Sequence, residues 1–178
     1  YSSPQGTQSL REEIARYINT TRLTATSPNN VVVTPGVKGA IFFAIMALIE
    51  PNDEVIVPDP GFPSYEAITK FAGGVPVPWF QTMDNNFIYD IDQLRSIVNN
   101  KTKMIILNNP NNPTGTIMSR QLLESISEIA LEHNLWIISD EIYSQLYFNK
   151  TFPTSIFSIP GMAERTILMD GFSKAYAM

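Results

Sequence analysis

Clusters of polar, glycine and proline residues follow five of the apolar runs in the sequence. They are Thr34-Pro-Gly-Val-Lys38, Pro58-Asp-Pro-Gly-Phe62, Asn108-Asn-Pro-Asn-Asn-Pro-Thr-Gly115, Ser139-Asp-Glu-Ile-Tyr143 and Asp170-Gly-Phe-Ser-Lys174. Between them they supply amines, carboxylates, amides and aromatic rings, which are groups that bind anions and rings or attack electrophiles. If the apolar runs are parallel strands, all five clusters lie at one edge of one sheet, where ligands bind in open α/β folds. We therefore predict a single active-site edge.

Two of the clusters offer a positive charge. Gly36, Val37 and Lys38 open a predicted helix, whose free N–H groups and positive dipole end form an anion site. The alternative is a helix that starts at a glycine and carries a surface lysine. Lys174, beside Ser173, could act as an amine nucleophile, which requires a depressed pKa and an electrophilic partner. Otherwise Lys174 is a solvated surface residue.

Asp140 and Phe62 also allow two interpretations each. Asp140 comes just after the apolar run 135–138, so its carboxylate lies at the rim of a buried region, where an unpaired charge is costly. A protonated heterocyclic nitrogen would compensate this charge, whereas the alternative is an aspartate that caps a helix. Phe62 either packs in the core or presents a flat face to a ring.

Strand and helix patterns alternate along the chain and position these clusters. Apolar runs predict strands at 31–33, 54–57, 104–107, 135–138 and 167–169, with a weak peripheral strand at 75–77 beside prolines. Because these strands are apolar throughout and are separated by helices, both faces of the sheet must be covered. The predicted fold class is α/β, a mostly parallel sheet flanked by helices on both faces.

The helices between the strands are predicted from apolar residues at helical spacing. They begin near residues 10, 36, 65, 90 and 119. Asp90 and Ser119 are the expected caps of the last two. In the first helix, Leu10, Ile14, Tyr17 and Ile18 are expected to form the apolar face.

Composition narrows the function classes. The 178 residues carry a net charge of −5 and show no basic stripe, which argues against a nucleic-acid binder. Without cysteine there is no disulfide or thiolate metal site, so we expect no metal and a reducing, cytoplasmic compartment. The apolar runs have strand length, so no membrane span is expected. We expect one domain, and the two ends suggest a fragment of a longer protein.

Taken together, the clusters resemble the class I and II aminotransferases, pyridoxal-phosphate-dependent enzymes of fold type I. The resemblance runs from Tyr1-Ser-Ser-Pro-Gln-Gly-Thr7 to the last residue, and Asn112-Pro-Thr-Gly115, Ser139-Asp-Glu-Ile-Tyr143 and Ser173-Lys174 carry it in combination. Asp140 and Lys174 are 34 residues apart, which is similar to the family's spacing. The resemblance implies that residues 1–178 form the large, cofactor-binding domain and that the small C-terminal domain is absent.

The resemblance implies a role for each residue around the cofactor ring. Lys174 is similar to the Schiff-base lysine, which also shuttles the proton between the substrate Cα and the cofactor. Asp140 is similar to the carboxylate that keeps the pyridine nitrogen protonated, so that the ring can accept electrons. Tyr143 and Asn112 match the hydrogen-bond donors to the phenolic oxygen of the ring, and Phe62 matches the aromatic residue that stacks on it.

The resemblance also implies a phosphate site. The helix start at Gly36, the backbone amides of Val37 and Lys38, and the Ser173 hydroxyl match the family's phosphate ligands. At Asp170-Gly171 the sequence departs from the Ser or Asn that many relatives place at this strand end. The Asn112–Pro113 bond is expected to be cis, since the family has a cis bond near here and X–Pro bonds allow it.

The implied activity is transfer of an amino group between an L-amino acid and a 2-oxo acid, in a homodimer. A carbon–sulfur lyase on the same fold is one alternative, because one scaffold supports several chemistries. Tyr143, where such lyases often have His, favours transamination. A non-catalytic, pyridoxal-phosphate-binding fragment is the other alternative. Glu141 is expected to be solvated or structural.

Overall fold

The computed structural model describes residues 3–148 and 152–178. Its strands are β1 (Glu54–Asp59), β2 (Val75–Phe80), β3 (Thr102–Asn108), β4 (Trp136–Asp140) and β5 (Thr166–Met169). They form one sheet in the order β2-β1-β3-β4-β5, and every neighbouring pair is parallel. The predicted α/β class is confirmed. The first two residues of the segment that carries the family resemblance, Tyr1 and Ser2, lie outside the described residues.

Helices cover both faces of this sheet. They are α1 (Gln8–Arg22), α2 (Gly36–Leu48), α3 (Ser64–Phe71), α4 (Ile91–Ile97), α5 (Arg120–Glu132) and the short α6 (Phe172–Ala175). On one face, Ile45 of α2 and Tyr65 of α3 share a core with Ile106. On the other face, Leu94 of α4 and Ile126 of α5 share a core with Ile105. Neighbouring residues of β3 point to opposite faces, so a continuously apolar strand fills both cores.

Local signals in the sequence set several element boundaries. The Asp90 carboxylate accepts a hydrogen bond from Asp92 N (2.9 Å), and Ser119 Oγ accepts one from Leu122 N (3.1 Å), so both predicted caps are confirmed. β2 lies at the edge of the sheet, where its prolines remove no needed ladder bond. It runs to Phe80, three residues further than its apolar run predicted.

Two predictions about the N-terminal part are wrong. Residues 31–33 form no strand, because a 3-10 turn (Pro28–Asn30) precedes them and Val33 N donates to Gln5 O outside the sheet. In α1, the predicted inner face at Leu10 and Ile14 is only half-buried. Ile18 is buried as predicted, and the other buried residues of α1 are Arg11, Ala15 and Arg22. Two arginines therefore occupy inward positions that the apolar pattern assigned to neighbouring residues.

No helix among the described residues combines the length and the apolar character needed to cross a membrane.

Candidate active site

Three neighbouring strands end at the same level of the sheet. Asn108 of β3 is in register with Asp140 of β4, and Asp140 is in register with Met169 of β5. Asn108 Nδ2 donates to the Asp140 carbonyl oxygen (3.0 Å), which joins the two strand ends directly. The predicted convergence of the polar clusters at one edge is therefore seen for these three strands.

Asp140 is a buried carboxylate at this edge. Asp140 is only 3% exposed, and its carboxylate accepts hydrogen bonds from the Tyr65 hydroxyl (2.7 Å) and from Ile142 N (3.1 Å). Burial raises the pKa of Asp140 to about 6, and the two hydrogen bonds oppose that rise because they favour the ionised form. A carboxylate poised near neutral pH is unusual away from functional sites.

A chain of side-chain contacts links Asp140 to the start of α2. Tyr65 packs edge-on against Phe62, with ring centroids 5.6 Å apart, and Lys38 Nζ lies 5.5 Å from the centroid of the Phe62 ring. Burial raises the pKa of Tyr65, and the neighbouring Asp140 carboxylate raises it further because it disfavours a second negative charge. The phenol therefore stays a hydrogen-bond donor to Asp140.

A second set of contacts brings in the turn that carries Lys174. A Cβ atom on Gly171 would lie 3.2 Å from Ile142 Cδ1 and 3.7 Å from Val37 Cγ2, so this turn packs between the β4 end and the α2 start. Lys174 Nζ lies 5.8 Å from the centroid of the Tyr143 ring. Lys174 is exposed, so its amine is accessible from solvent.

Backbone geometry shapes the two remaining parts of the edge. Gly36 begins α2 with φ +77°, a conformation that favours glycine, and its N–H donates to Thr34 O (2.7 Å). Asn112 N donates to Asn108 Oδ1 (2.7 Å), which ties the loop after β3 to the β3–β4 pair. The Asn112–Pro113 bond is cis as predicted, and Asp59–Pro60 and Asn109–Pro110 are also cis.

The contacts therefore join eight of the nine predicted cofactor residues into one region. These are Gly36, Val37, Lys38, Phe62, Asn112, Asp140, Tyr143 and Lys174. Ser173 is exposed and makes no side-chain hydrogen bond within the described part of the chain, so its role stays a prediction. Sequence reasoning missed Tyr65, although its position one helical turn after Phe62 could have indicated it.

A buried arginine lies beside this region and was also missed. Arg22 Nε donates to Glu141 Oε2 (3.1 Å), while Nη2 donates to Asp170 Oδ2 (2.8 Å) and to Ser144 Oγ (3.2 Å). The Arg22 side chain is fully buried, and its Cζ lies 5.5 Å from the centroid of the Tyr17 ring and 5.1 Å from that of Phe152. Of the two roles expected for Glu141, the structural one is correct.

Both carboxylate oxygens of Glu141 take part in this network. Its Oε1 accepts hydrogen bonds from Ser139 Oγ (2.9 Å) and Ser155 Oγ (2.5 Å), and its N–H donates to Met169 O (2.8 Å). Burial raises the pKa of Glu141, and the Arg22 guanidinium opposes that rise. Across residues 3–148 and 152–178, no group of three or more acidic or histidine side chains is placed to hold a metal.

The model of the family described as aminotransferase class I and II matches residues 1–178. The chain belongs to this family. A putative aminotransferase of Bacillus subtilis is 42% identical over the whole chain, and an aspartate aminotransferase of Musicola paradisiaca is 38% identical. The chain covers 46% and 45% of these two proteins, so it spans about half the length of the curated relatives it matches.

Solved aminotransferases share the fold of this chain. The aromatic aminotransferase from Pyrococcus horikoshii superposes with a TM-score of 0.96 at 35% identity, over 100% of this chain and 48% of that one. A similarity at this level extends over every element described above.

Proposed function

We propose that this chain is the cofactor-binding domain of a pyridoxal-phosphate-dependent aminotransferase, which moves an amino group between an L-amino acid and a 2-oxo acid. Class I and II aminotransferases generally depend on this cofactor. The chain would be the large domain of a longer protein, in keeping with the half of its relatives that it spans. The observation that carries the proposal is the environment of Asp140.

The Asp140 carboxylate fits a cationic heterocycle. It is buried, yet within residues 3–148 and 152–178 no Lys, Arg or His nitrogen lies within 4.0 Å of it. An unpaired buried charge is costly, so a carboxylate kept here is best explained by a cationic partner that arrives with a ligand. The protonated pyridine nitrogen of the cofactor is such a partner. When bound, pyridoxal phosphate would draw electrons from the substrate Cα through its protonated ring.

The other residues of the edge suit the remaining parts of the same molecule. Phe62 lies between Lys38 and Tyr65 and is half-buried, which leaves part of its ring able to stack on another ring. Tyr143 and Asn112 would donate hydrogen bonds to the ring's phenolic oxygen. The N–H groups of Val37 and Lys38, in the first turn of α2, would bind the phosphate with Ser173.

Lys174 would have two tasks. Its Nζ would bind the cofactor covalently, and after release it would carry a proton from the substrate Cα. The exposed position of Lys174, beside Tyr143, leaves the amine accessible for both tasks.

The test is covalent trapping of the cofactor. The purified protein is mixed with pyridoxal phosphate, reduced with borohydride and digested, and the modified peptide is identified by mass spectrometry. We expect one adduct at Lys174 that is lost in Lys174→Ala and kept in Lys103→Ala, whose exposed lysine lies in β3 near its amino end. No adduct, or adducts spread over surface lysines, would contradict the proposal.

Amino-group transfer needs its own assay. The protein is incubated with pyridoxal phosphate, a panel of L-amino acids and a 2-oxo acid, and the new amino acid is quantified by chromatography. We expect a new amino acid without net release of ammonia. Release of ammonia together with a thiol would indicate the lyase alternative instead.

We further propose that the protein acts as a homodimer in the cytoplasm. The family resemblance supports the dimer, and a sequence without cysteine is compatible with a reducing compartment. Light scattering coupled to size-exclusion chromatography would give the mass of the assembly. A monomer at micromolar concentration would contradict the dimer.

A further inference from the structure

Two turns at the sheet edge carry the groups that the proposed function uses. The turn after β4 contains Asp140 and Tyr143, and the turn after β5 leads from Asp170 to Lys174. We propose that Arg22 is a positioning residue that fixes the separation of these two turns. This inference rests on the proposed function, because it concerns how the cofactor site is held in shape.

Arg22 reaches both turns at once. Its Nε donates to Glu141, which directly follows Asp140, and its Nη2 donates to Asp170, which directly follows β5. A guanidinium is planar and its N–H groups point in fixed directions, so two acceptors on one guanidinium are held at a set distance. The third contact, from Nη2 to Ser144 Oγ, adds a second point on the β4 turn.

The position of Asp170 also constrains the residues that lead to Lys174. Asp170 Oδ1 accepts a hydrogen bond from Gly171 N (2.7 Å), while Oδ2 is held by Arg22. Gly171 packs against Ile142 of the β4 turn and Val37 of α2. A shift of the Asp170 carboxylate would therefore move Gly171, and with it the start of the short helix that bears Lys174.

Stability alone is a weak explanation for this network. A buried ion pair is often no better for stability than packed apolar side chains of the same volume, because desolvation cancels much of the attraction. Here one cation, one carboxylate and three serine hydroxyls are buried, and the second carboxylate, Asp170, is only partly exposed. Hydrogen-bonded ion pairs fix the orientation of the groups that they join, which apolar packing does not. Here the joined groups lie beside Asp140 and at the start of the segment that leads to Lys174.

The experiment compares two buried arginines of the same helix. Arg22→Met removes the guanidinium that joins the two turns. Arg11→Met removes an arginine that, among the described residues, contacts Gln5, Gln8 and the Pro28 carbonyl but no carboxylate. Both proteins are studied well below their unfolding temperatures. The readouts are the Kd for pyridoxal phosphate and the pH dependence of the absorbance of the lysine-bound cofactor, neither of which requires turnover.

We expect Arg22→Met to raise the Kd by about tenfold or more, as when a residue that orients a binding group is removed, and to shift the pH midpoint of the absorbance. We expect Arg11→Met to lose stability but to keep both values. Arg22→Lys retains the charge without the two-point geometry, so it should change both values in the same direction by less. Equal changes in Arg22→Met and Arg11→Met would overturn the proposal.

Two further variants decide the matter if Arg22→Met does not fold. Arg22→Lys is the milder change at the same position. Asp170→Asn breaks only one ion pair, at a side chain that is 16% exposed. Wild-type Kd and absorbance profile in both folded variants would overturn the role of Arg22. If the wild-type protein itself forms no adduct at Lys174, the proposed function has failed, which is a different result.

Discussion

The hydroxyl of Tyr65 donates a hydrogen bond to Oδ2 of Asp140 over 2.7 Å, in a region where both residues are almost completely buried. Tyr65 belongs to α3 and Asp140 ends β4, so the bond connects a helix on one face of the sheet with the active-site edge. Since Asp140 is the group expected to pair with the cofactor nitrogen, Tyr65 controls both its direction and its proton affinity.

Tyr65→Phe removes that donor and keeps the ring. The hydrogen bond lowers the pKa of Asp140, so its loss should raise that pKa above the present value of about 6. Less of the carboxylate is then ionised at pH 7, and the affinity for pyridoxal phosphate should fall more at pH 7 than at pH 8.5. Equilibrium titrations at the two pH values measure this difference.

The matched control for this prediction is Tyr89→Phe. Tyr89 is also buried, but its hydroxyl accepts from Asn111 Nδ2 (2.9 Å) and, within the described residues, hydrogen-bonds to no carboxylate. We expect the same affinity ratio between the two pH values as in the wild-type protein. A ratio that changes equally in both variants would show that loss of any buried hydroxyl is sufficient.

Asp140→Asn should stabilise the cofactor-free protein above pH 6. The pKa of Asp140 is raised from 3.8 to about 6 on folding, so the folded state holds this proton more tightly than the unfolded state does. The protonated Asp140 side chain therefore contributes its full stabilisation below pH 3.8. About 3 kcal/mol of the free energy of unfolding is lost as the pH rises through about 6. Asparagine has no such proton to lose.

Urea unfolding of the wild-type protein and Asp140→Asn between pH 4 and pH 8 tests this trade-off. We expect the variant to have a higher free energy of unfolding than the wild type at pH 8, and the two proteins to be equally stable near pH 4. The same variant should bind pyridoxal phosphate more weakly, because it lacks the negative charge. A variant that is less stable than the wild type at pH 8 would refute the assignment of Asp140 as a costly buried carboxylate.

Glu141→Gln should be strongly destabilising. It leaves the Arg22 guanidinium buried beside a neutral amide, and breaking a buried pair in this way costs about 3–5 kcal/mol. Glu124→Gln is the control, since Glu124 pairs with Arg120 at the surface and a solvated pair contributes little. Urea midpoints measured at pH 7 should fall for the first variant and stay unchanged for the second.

Gly36→Ala should weaken binding of the phosphate group in particular. A methyl group there meets no atom within 4 Å, so the effect comes only from the φ of +77°, which costs an alanine about 1–2 kcal/mol. Relief of that strain displaces the first turn of α2. We expect the affinity for pyridoxal phosphate to fall while the affinity for pyridoxal, which has no phosphate, stays the same.

Gly161→Ala provides the comparison for backbone strain. Gly161 has a similar φ of +81°, and its added methyl would make only ordinary contacts with Leu131, in the segment that leads into β5. The variant should lose comparable stability and keep the affinity for both ligands. Parallel losses for pyridoxal and pyridoxal phosphate in Gly36→Ala would argue against a phosphate site at α2.

The sequence was most informative where local signals decide the structure. Continuous apolar runs predicted the three central strands, the edge strand β5 and the placement of Asp140 at a strand end, because burial on both faces leaves few other arrangements. The valines at 31–33 satisfied the same pattern but found no partner strand. Pattern alone cannot distinguish these cases, since strand pairing depends on parts of the chain far away.

Charged residues inside the fold were the main omission. Helical periodicity assigned the inner face of α1 to Leu10 and Ile14, whereas Arg11 and Arg22 occupy it. A buried arginine is stable only when distant acceptors satisfy it, and Glu141 lies 119 residues away from Arg22. Nothing in the segment around Arg22 identifies that partner. For the same reason Tyr65, 75 residues from Asp140, was not predicted as its donor.

The ion pair between Arg22 and Asp170 joins positions 148 residues apart, nearly the full length of the chain. Translation proceeds from the amino terminus, so α1 leaves the ribosome long before the strand that supplies Asp170. Until β5 joins the sheet, the guanidinium lacks one of its two carboxylate partners, and only Glu141 is available to pair with it in the interior. Such a distant contact forms late, since a long loop must close first. Maturation of the edge that carries Lys174 is therefore tied to completion of the sheet, and nascent or cleaved chains lacking β5 should not capture cofactor.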